Sequence, residues 1–263
     1  MAGTPRVRLD RALVERGLAR SRTQAQELIR QGRVRLSGSS AVKASSLVGP
    51  DDPLDAQTEP YVSRAAHKLL GALDDLGVRP AGRALDAGAS TGGFTQVLLH
   101  RGCAEVYAVD VGTDQLDPGL RADPRVHVRE QTNLRDLTLE QLGGEPVDLV
   151  VADVSFISLT LLLAPLAAVS RPDGDWLLMV KPQFEVGREA LGRGGVVRDP
   201  ALHLAAVAGV CAAAERLGRY LAGAVPSRLP GPAGNREFFV HLTSRAPTEP
   251  VELAAVVRPA DAG

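Results

Sequence analysis

Apolar positions take a helical spacing twice near the start of the chain. Leu9, Leu13 and Val14 form one face behind Asp10, and Gly17 ends it. Ser21 is placed to cap a second helix with Ala25, Leu28 and Ile29 inward, closed by Gly32. Short strand-like pieces follow at 33–36 and 46–48, around a turn at Ser37 and Gly38. Residues 49–60 are rich in Pro and acids, a linker composition. Ser63 can cap a further helix carrying Ala66, Leu69, Leu70 and Leu73, which ends at Gly77. From Arg83 the pattern changes to strands alternating with helices. Strands are expected at Glu105–Val109, 125–129, Val147–Ala152, 176–180, 220–225 and 238–242, and helices at 157–168 and 200–217. Alternation with short loops predicts an α/β domain with a doubly wound, mostly parallel sheet.

In such sheets ligands sit beyond the carboxyl ends of the strands. Asp86, Asp110, Asp153 and Lys181 each fall at or just after the end of an apolar strand, so four polar residues are expected on one rim. The stretch from Arg83 to Phe94 reads as strand, Gly-rich turn and helix opening, the helix running from about Gly92 to His100. Gly88, Gly92 and Gly93 would let backbone approach a ligand, with Thr91 between them, and the helix would aim free N–H groups there. The spacing is not Gly-x-Gly-x-x-Gly, which speaks against a dinucleotide. An Asp just before the first Gly suits a cofactor with a cationic amino-acid end and favours S-adenosylmethionine. Asp110, roughly 20 residues beyond the turn, is placed to accept hydrogen bonds from ribose hydroxyls. Asn133, after the third strand, is a candidate for the adenine pocket. For Asp153 and Lys181 a plain ion pair between neighbouring strands is the alternative, but it leaves Lys68 and Glu237 unexplained.

Charge alters the picture of the N-terminal part. The whole chain carries net −1, yet residues 1–50 hold nine Arg and one Lys against three acids, +7, which leaves −8 for the rest. Arg6, Arg8, Arg11, Arg20, Arg22, Arg30, Arg33 and Arg35 are available on the surfaces of that small module, so a polyanion partner is expected. Of 30 basic residues only Lys43, Lys68 and Lys181 are Lys. A Lys retained in so Arg-rich a chain is a candidate for chemistry, because Lys can lose its proton and Arg cannot. The two cysteines, Cys103 and Cys211, sit in apolar stretches and read as reduced and structural, with no metal site expected. The longest apolar run, 159–169, is too short to span a bilayer, and the N-terminus does not read as a signal peptide; a cytoplasmic protein is expected.

Residues 6–55 resemble the S4 RNA-binding fold through Arg8-Leu9-Asp10, Arg16-Gly17-Leu18, Ser21-Arg22, Leu28-Ile29 and Gly32-Arg33-Val34. Lys68, Asp153, Lys181 and Glu237 resemble the Lys-Asp-Lys-Glu tetrad of FtsJ-like ribose 2′-O-methyltransferases. With the S4-like module in front, the chain is similar to the TlyA family of bacterial rRNA methyltransferases, once labelled haemolysins. It departs from that pattern at Ala65-Ala66, where Gly is common, and at Gln96, where Asp is frequent. The resemblance implies an S4-like domain at 1–58, a linker at 59–64 and a Rossmann-like, S-adenosylmethionine-dependent methyltransferase domain at 65–263. It implies 2′-O-methylation of cytidine in 16S or 23S rRNA, ribosomal subunits as partners, and no membrane role. It carries over Lys181 as base or 2′-oxygen positioner, Lys68 steadying that oxygen, and Asp153 and Glu237 orienting the lysines.

Overall fold

In a computed structural model the described residues are all except 1–5, 20, 41, 58–59, 193, 232 and 259–263. The chain divides into two units, Met1–Pro60 and Tyr61–Gly263.

The first unit is built on β1 (Val7–Arg8), α1 (Leu9–Glu15), α2 (Arg22–Arg30), β2 (Val34–Leu36), β3 (Leu47–Val48) and β4 (Leu54–Ala56). Its core is Leu9, Leu13, Ala25, Leu28, Ile29, Val34 and Val48, the faces that the helical spacing marks. Ser21 caps α2, its side chain accepting from Gln24 N. The strand-like pieces around Ser37 do not pair with each other. β2 pairs with β4 and β3 with β1, both antiparallel. β4 therefore lies inside the Pro-rich stretch read as a linker. Leu54 and Ala56 pack on the core, and Arg16 donates to the carbonyls of Gly49, Pro50 and Asp52, holding the preceding turn.

The second unit opens with α3 (Ala65–Leu76), then β5 (Arg83–Ala87), α4 (Gly93–His100), β6 (Glu105–Val109), α5 (Pro118–Arg121), β7 (Val126–Arg129) and β8 (Val147–Ala152). It continues through α6 (Leu163–Val169), β9 (Ser170–Val180), α7 (Pro182–Glu185), α8 (Pro200–Glu215), β10 (Tyr220–Pro226), β11 (Phe238–Thr243) and α9 (Leu253–Val257). The sheet order is β10-β11-β9-β8-β5-β6-β7. β7, β6, β5, β8 and β9 run parallel, while β11 and β10 are antiparallel additions at one edge. Strands buried on both faces read as continuous apolar runs, as Val150, Val151 and Ala152 do.

Tyr61 and Val62 belong to this unit. Val62 N donates to Gln96 Oε1 at 2.8 Å, so the residue that stands where the family often has Asp anchors the entry of the chain. Ser63 does not cap α3; the cap position is Arg64 with no side-chain bond, and Ser63 Oγ instead lies against Gly93. The helix expected at 157–168 is a 3₁₀ turn, Leu159–Leu161, followed by α6. β9 begins six residues earlier than the apolar run suggests. Its polar start is held because Arg219, buried over the Trp176 ring, donates to the carbonyls of Arg171 and Gly174, and Trp176 donates to Ser170 Oγ. Among the described residues no helix is long and apolar enough to cross a membrane, and no cluster of three His, Cys, Asp or Glu could hold a metal ion.

Candidate active site

β5 and β8 are neighbours, so the residues after them meet. Gly88, just past β5, has φ +89°, and a Cβ there would lie 2.8 Å from the Asp153 carbonyl oxygen just past β8. Gly92, with φ +93°, faces the side chains of Leu116 and Leu120, and Gly93 faces Ser63 and the start of α3. A side chain at either glycine would meet neighbouring protein. Gly88, Thr91 and Gly93 line a cavity of about 300 Å³ that also receives Ser63, Lys68, Asp153, Ser155 and Lys181; Gly92 does not line it.

Asp86 lines neither this cavity nor its neighbour. It is fully covered, its Oδ2 accepts from Thr95 Oγ1 at 2.7 Å, and burial pushes its carboxyl up to about 7. Its Oδ1 is buried and meets no hydrogen-bond partner among the described residues. Glu185 is a second raised carboxyl, mainly through burial. It accepts from Ser158 Oγ and Leu159 N and so fixes the loop after β8.

A second cavity of about 450 Å³ adjoins the first, lined by Asp110, Val111, Asn133, Phe156 and Ile157 among others. That volume suits a cofactor-sized ligand. Asp110 Oδ2 accepts from Ser90 N at 2.9 Å and Oδ1 from Gly112 N at 2.7 Å, which ties the Gly-rich turn to the loop after β6. Each oxygen keeps a lone pair for a hydroxyl donor. Asn133 accepts from Arg135 N and caps a 3₁₀ turn, so its carbonyl is engaged and its amide remains for a ligand. The two cavities share Gly88, Ser90, Asp153 and Ser155.

The four tetrad residues form two pairs, and of the four only Asp153 belongs to that shared wall. Lys181 Nζ lies 2.6 Å from Asp153 Oδ1, and Lys68 Nζ lies 2.6 Å from Glu237 Oε2. Lys68 is 5 % exposed, Lys181 8 % and Glu237 2 %. Buried cations are tolerated here because each has its own carboxylate. Lys68, Asp153 and Lys181 line the cavity; Glu237 does not, and reaches it only through Lys68. Lys181 also donates to Ser155 Oγ at 2.8 Å. Ser155 is absent from the residues singled out by strand ends, because a Ser after Asp153 carries no periodic signal. Arg64, also unmarked in the sequence, lines the first cavity.

In the first unit the basic residues are largely engaged. Asp10, fully covered, takes Arg8 at 3.1 Å, Arg22 at 2.9 Å and Gln26 at 3.1 Å, and the Arg8 and Arg22 guanidinium groups hold its carboxyl well below the usual range. Arg6 pairs with Asp52, Arg11 with Glu15 and Arg30 with Glu27. Arg33 and Arg35 are exposed on and beside β2. Arg20 lies outside the described residues.

Comparison with known proteins agrees with both halves. The chain matches the FtsJ-like methyltransferase family over residues 61–244 and the S4 domain over residues 7–54. It is 52% identical over 244 residues to the 16S/23S rRNA (cytidine-2′-O)-methyltransferase TlyA of Mycobacterium tuberculosis, covering 91% of each chain. It is 34% identical to the 23S rRNA (cytidine-2′-O)-methyltransferase TlyA of Campylobacter jejuni, covering 87% of this chain and 96% of that one. A solved structure from Streptococcus thermophilus, provisionally named a hemolysin, superposes with TM-score 0.74 at 36% identity over 97% of this chain and 95% of its own. With both domains matched and most of each relative's length covered, the chain belongs to the TlyA family of FtsJ-like methyltransferases that carry an S4 domain.

Proposed function

We propose that the protein methylates the ribose 2′-hydroxyl of a cytidine in ribosomal RNA, with S-adenosylmethionine as donor. The observation that carries this reading is the two buried Lys–carboxylate contacts: Lys181–Asp153, which reaches the wall where the two cavities meet, and Lys68–Glu237, whose lysine lines the first cavity. The second cavity fits the donor: Asp110 would take the ribose hydroxyls, Asn133 the adenine edge, and Val111 and Ile157 the apolar face. The donor supplies a methyl already activated on a sulfonium. The protein must align a 2′-oxygen with it and remove one proton.

Lys181 takes that proton or holds the oxygen, with Asp153 fixing its ammonium. Lys68 steadies the ribose oxygen, and Glu237, which touches only Lys68 within the tetrad, is a positioning residue. Residues up to Pro60 would dock structured RNA through phosphates, with Arg33 and Arg35 and the Asp10-held Arg8 and Arg22 as contacts. A protein acting on ribosomal subunits in the cytoplasm follows from this assignment. The test is transfer of tritiated methyl from S-adenosylmethionine into unmethylated ribosomal subunits, followed by mapping of the modified nucleotide. Label on a ribose of either rRNA supports the reading; label on a base, or none, overturns it.

A further inference from the structure

We infer that Ser155 is the proton carrier between the target 2′-hydroxyl and Lys181. The inference rests on the proposed methyl transfer and deepens it. Ser155 is one of the few residues that line both cavities, so it stands where donor and acceptor must meet. Its Oγ lies 2.8 Å from Lys181 Nζ, and Lys181 is itself held 2.6 Å from Asp153. A lysine ammonium has three donors and no acceptor, so Ser155 Oγ accepts from it at rest; once Lys181 is the neutral amine its lone pair faces Oγ and accepts the Ser155 O–H. Ser155 is exposed and lines the cavity, which leaves Oγ a lone pair to accept the 2′-hydroxyl.

Lys181 enters the transfer step as the neutral amine, its proton having passed to water. As the 2′-oxygen forms its bond to the methyl carbon and the sulfur–methyl bond breaks, the 2′-hydroxyl proton moves to Ser155 Oγ. In the same movement the Ser155 proton moves to Lys181 Nζ, and Asp153 stabilises the ammonium that results. The positive charge that leaves the sulfonium ends on Lys181, and no other reactant is needed. Lys181 then acts without touching the ribose.

The experiment is single-turnover methyl transfer to ribosomal subunits by wild type, Ser155→Ala, Ser155→Thr and Lys181→Ala, each across a pH range, with donor affinity measured by calorimetry. Ser155→Ala should lose about tenfold or more in rate, while Ser155→Thr, which keeps the hydroxyl, stays within about threefold of wild type and donor affinity moves less than about twofold. An alanine variant at wild-type rate overturns the carrier role, as do Ala and Thr variants slowed alike. If Lys181→Ala is slow while Ser155→Ala is not, only the carrier is lost and the methyltransferase reading stands. If Lys181→Ala is also unimpaired, the tetrad assignment itself falls.

Discussion

At the scale of single residues, the two lysines invite separate tests. Lys181→Arg keeps the charge and roughly the reach, but Arg cannot accept a proton at ordinary pH. If Lys181 only tied β8 to β9 through Asp153, the variant would keep most of its rate. With Lys181 as base the single-turnover rate should fall by about 10²-fold, while donor affinity measured by calorimetry stays level. Asp110→Ala should weaken donor binding by roughly 1.5–3 kcal/mol, the size of a lost hydrogen bond to a charged group. Because Asp110 also holds Ser90 N and Gly112 N, the variant's thermal stability must be measured beside its affinity. Unchanged affinity would remove Asp110 from the site. Asp86 predicts a pH effect. Burial raises it from 3.8 to about 7, so over that interval the native state holds a proton that the unfolded chain has released. Its contribution to stability is present at low pH and is lost as pH rises from about 4 to about 7. Denaturant titrations of wild type and Asp86→Asn should diverge across that window, the wild type weakening relative to the variant; parallel curves would contradict the assignment.

At the scale of elements, a turn and a helix pair show where local geometry is dictated by neighbours. Gly88 and Gly102 both have positive φ, +89° and +105°, but a Cβ meets the Asp153 backbone at the first and nothing within 4 Å at the second. Gly102→Ala should therefore cost only the left-handed strain of about 1–2 kcal/mol. Gly88→Ala should cost more, because backbone on both sides cannot yield, and should also slow methyl transfer by moving Asp153 away from Lys181. Urea unfolding of the two variants decides it; equal losses would mean the β5–β8 junction is softer than its contacts imply. In the first unit, Asp10 joins α1 to α2 through Arg22 and Gln26 and to β1 through Arg8. Its lowered carboxyl contributes stability that is present above the ordinary carboxylate range and lost as pH falls. The same contacts set the directions of the Arg8 and Arg22 guanidinium groups that we propose meet RNA.

At the scale of the molecule, the division at Pro60 separates a basic module from the catalytic unit. Removing residues 1–60 should leave donor affinity intact, since the residues lining the two cavities begin at Ser63. It should abolish transfer to ribosomal subunits. RNA binding by the full chain should weaken steeply with salt, as phosphate contacts do, and the truncated form should show a much shallower dependence. Full-rate methylation by the truncated protein would show that docking is not what the basic module does.

The sequence by itself determined the parts whose signal is local. Leu9, Leu13, Ala25 and Leu28 mark two helices by spacing, and Val150 to Ala152 mark a buried strand, because those residues must leave water whatever lies opposite. Strand ends followed by Asp86, Asp110, Asp153 and Lys181 announced the rim, because the carboxyl ends of parallel strands share one edge. Only the tertiary structure decided which of those groups face the cavity. Asp86 turns inward to Thr95 and Glu237 stops at Lys68, since side-chain direction depends on the neighbouring element and not on strand position. The pairing of β2 with β4 was likewise out of reach, because Leu54 and Ala56 have no partner until the chain returns past the turn held by Arg16. Ser155 belongs to this second class: its place between two cavities exists only once β5, β8 and β9 lie side by side.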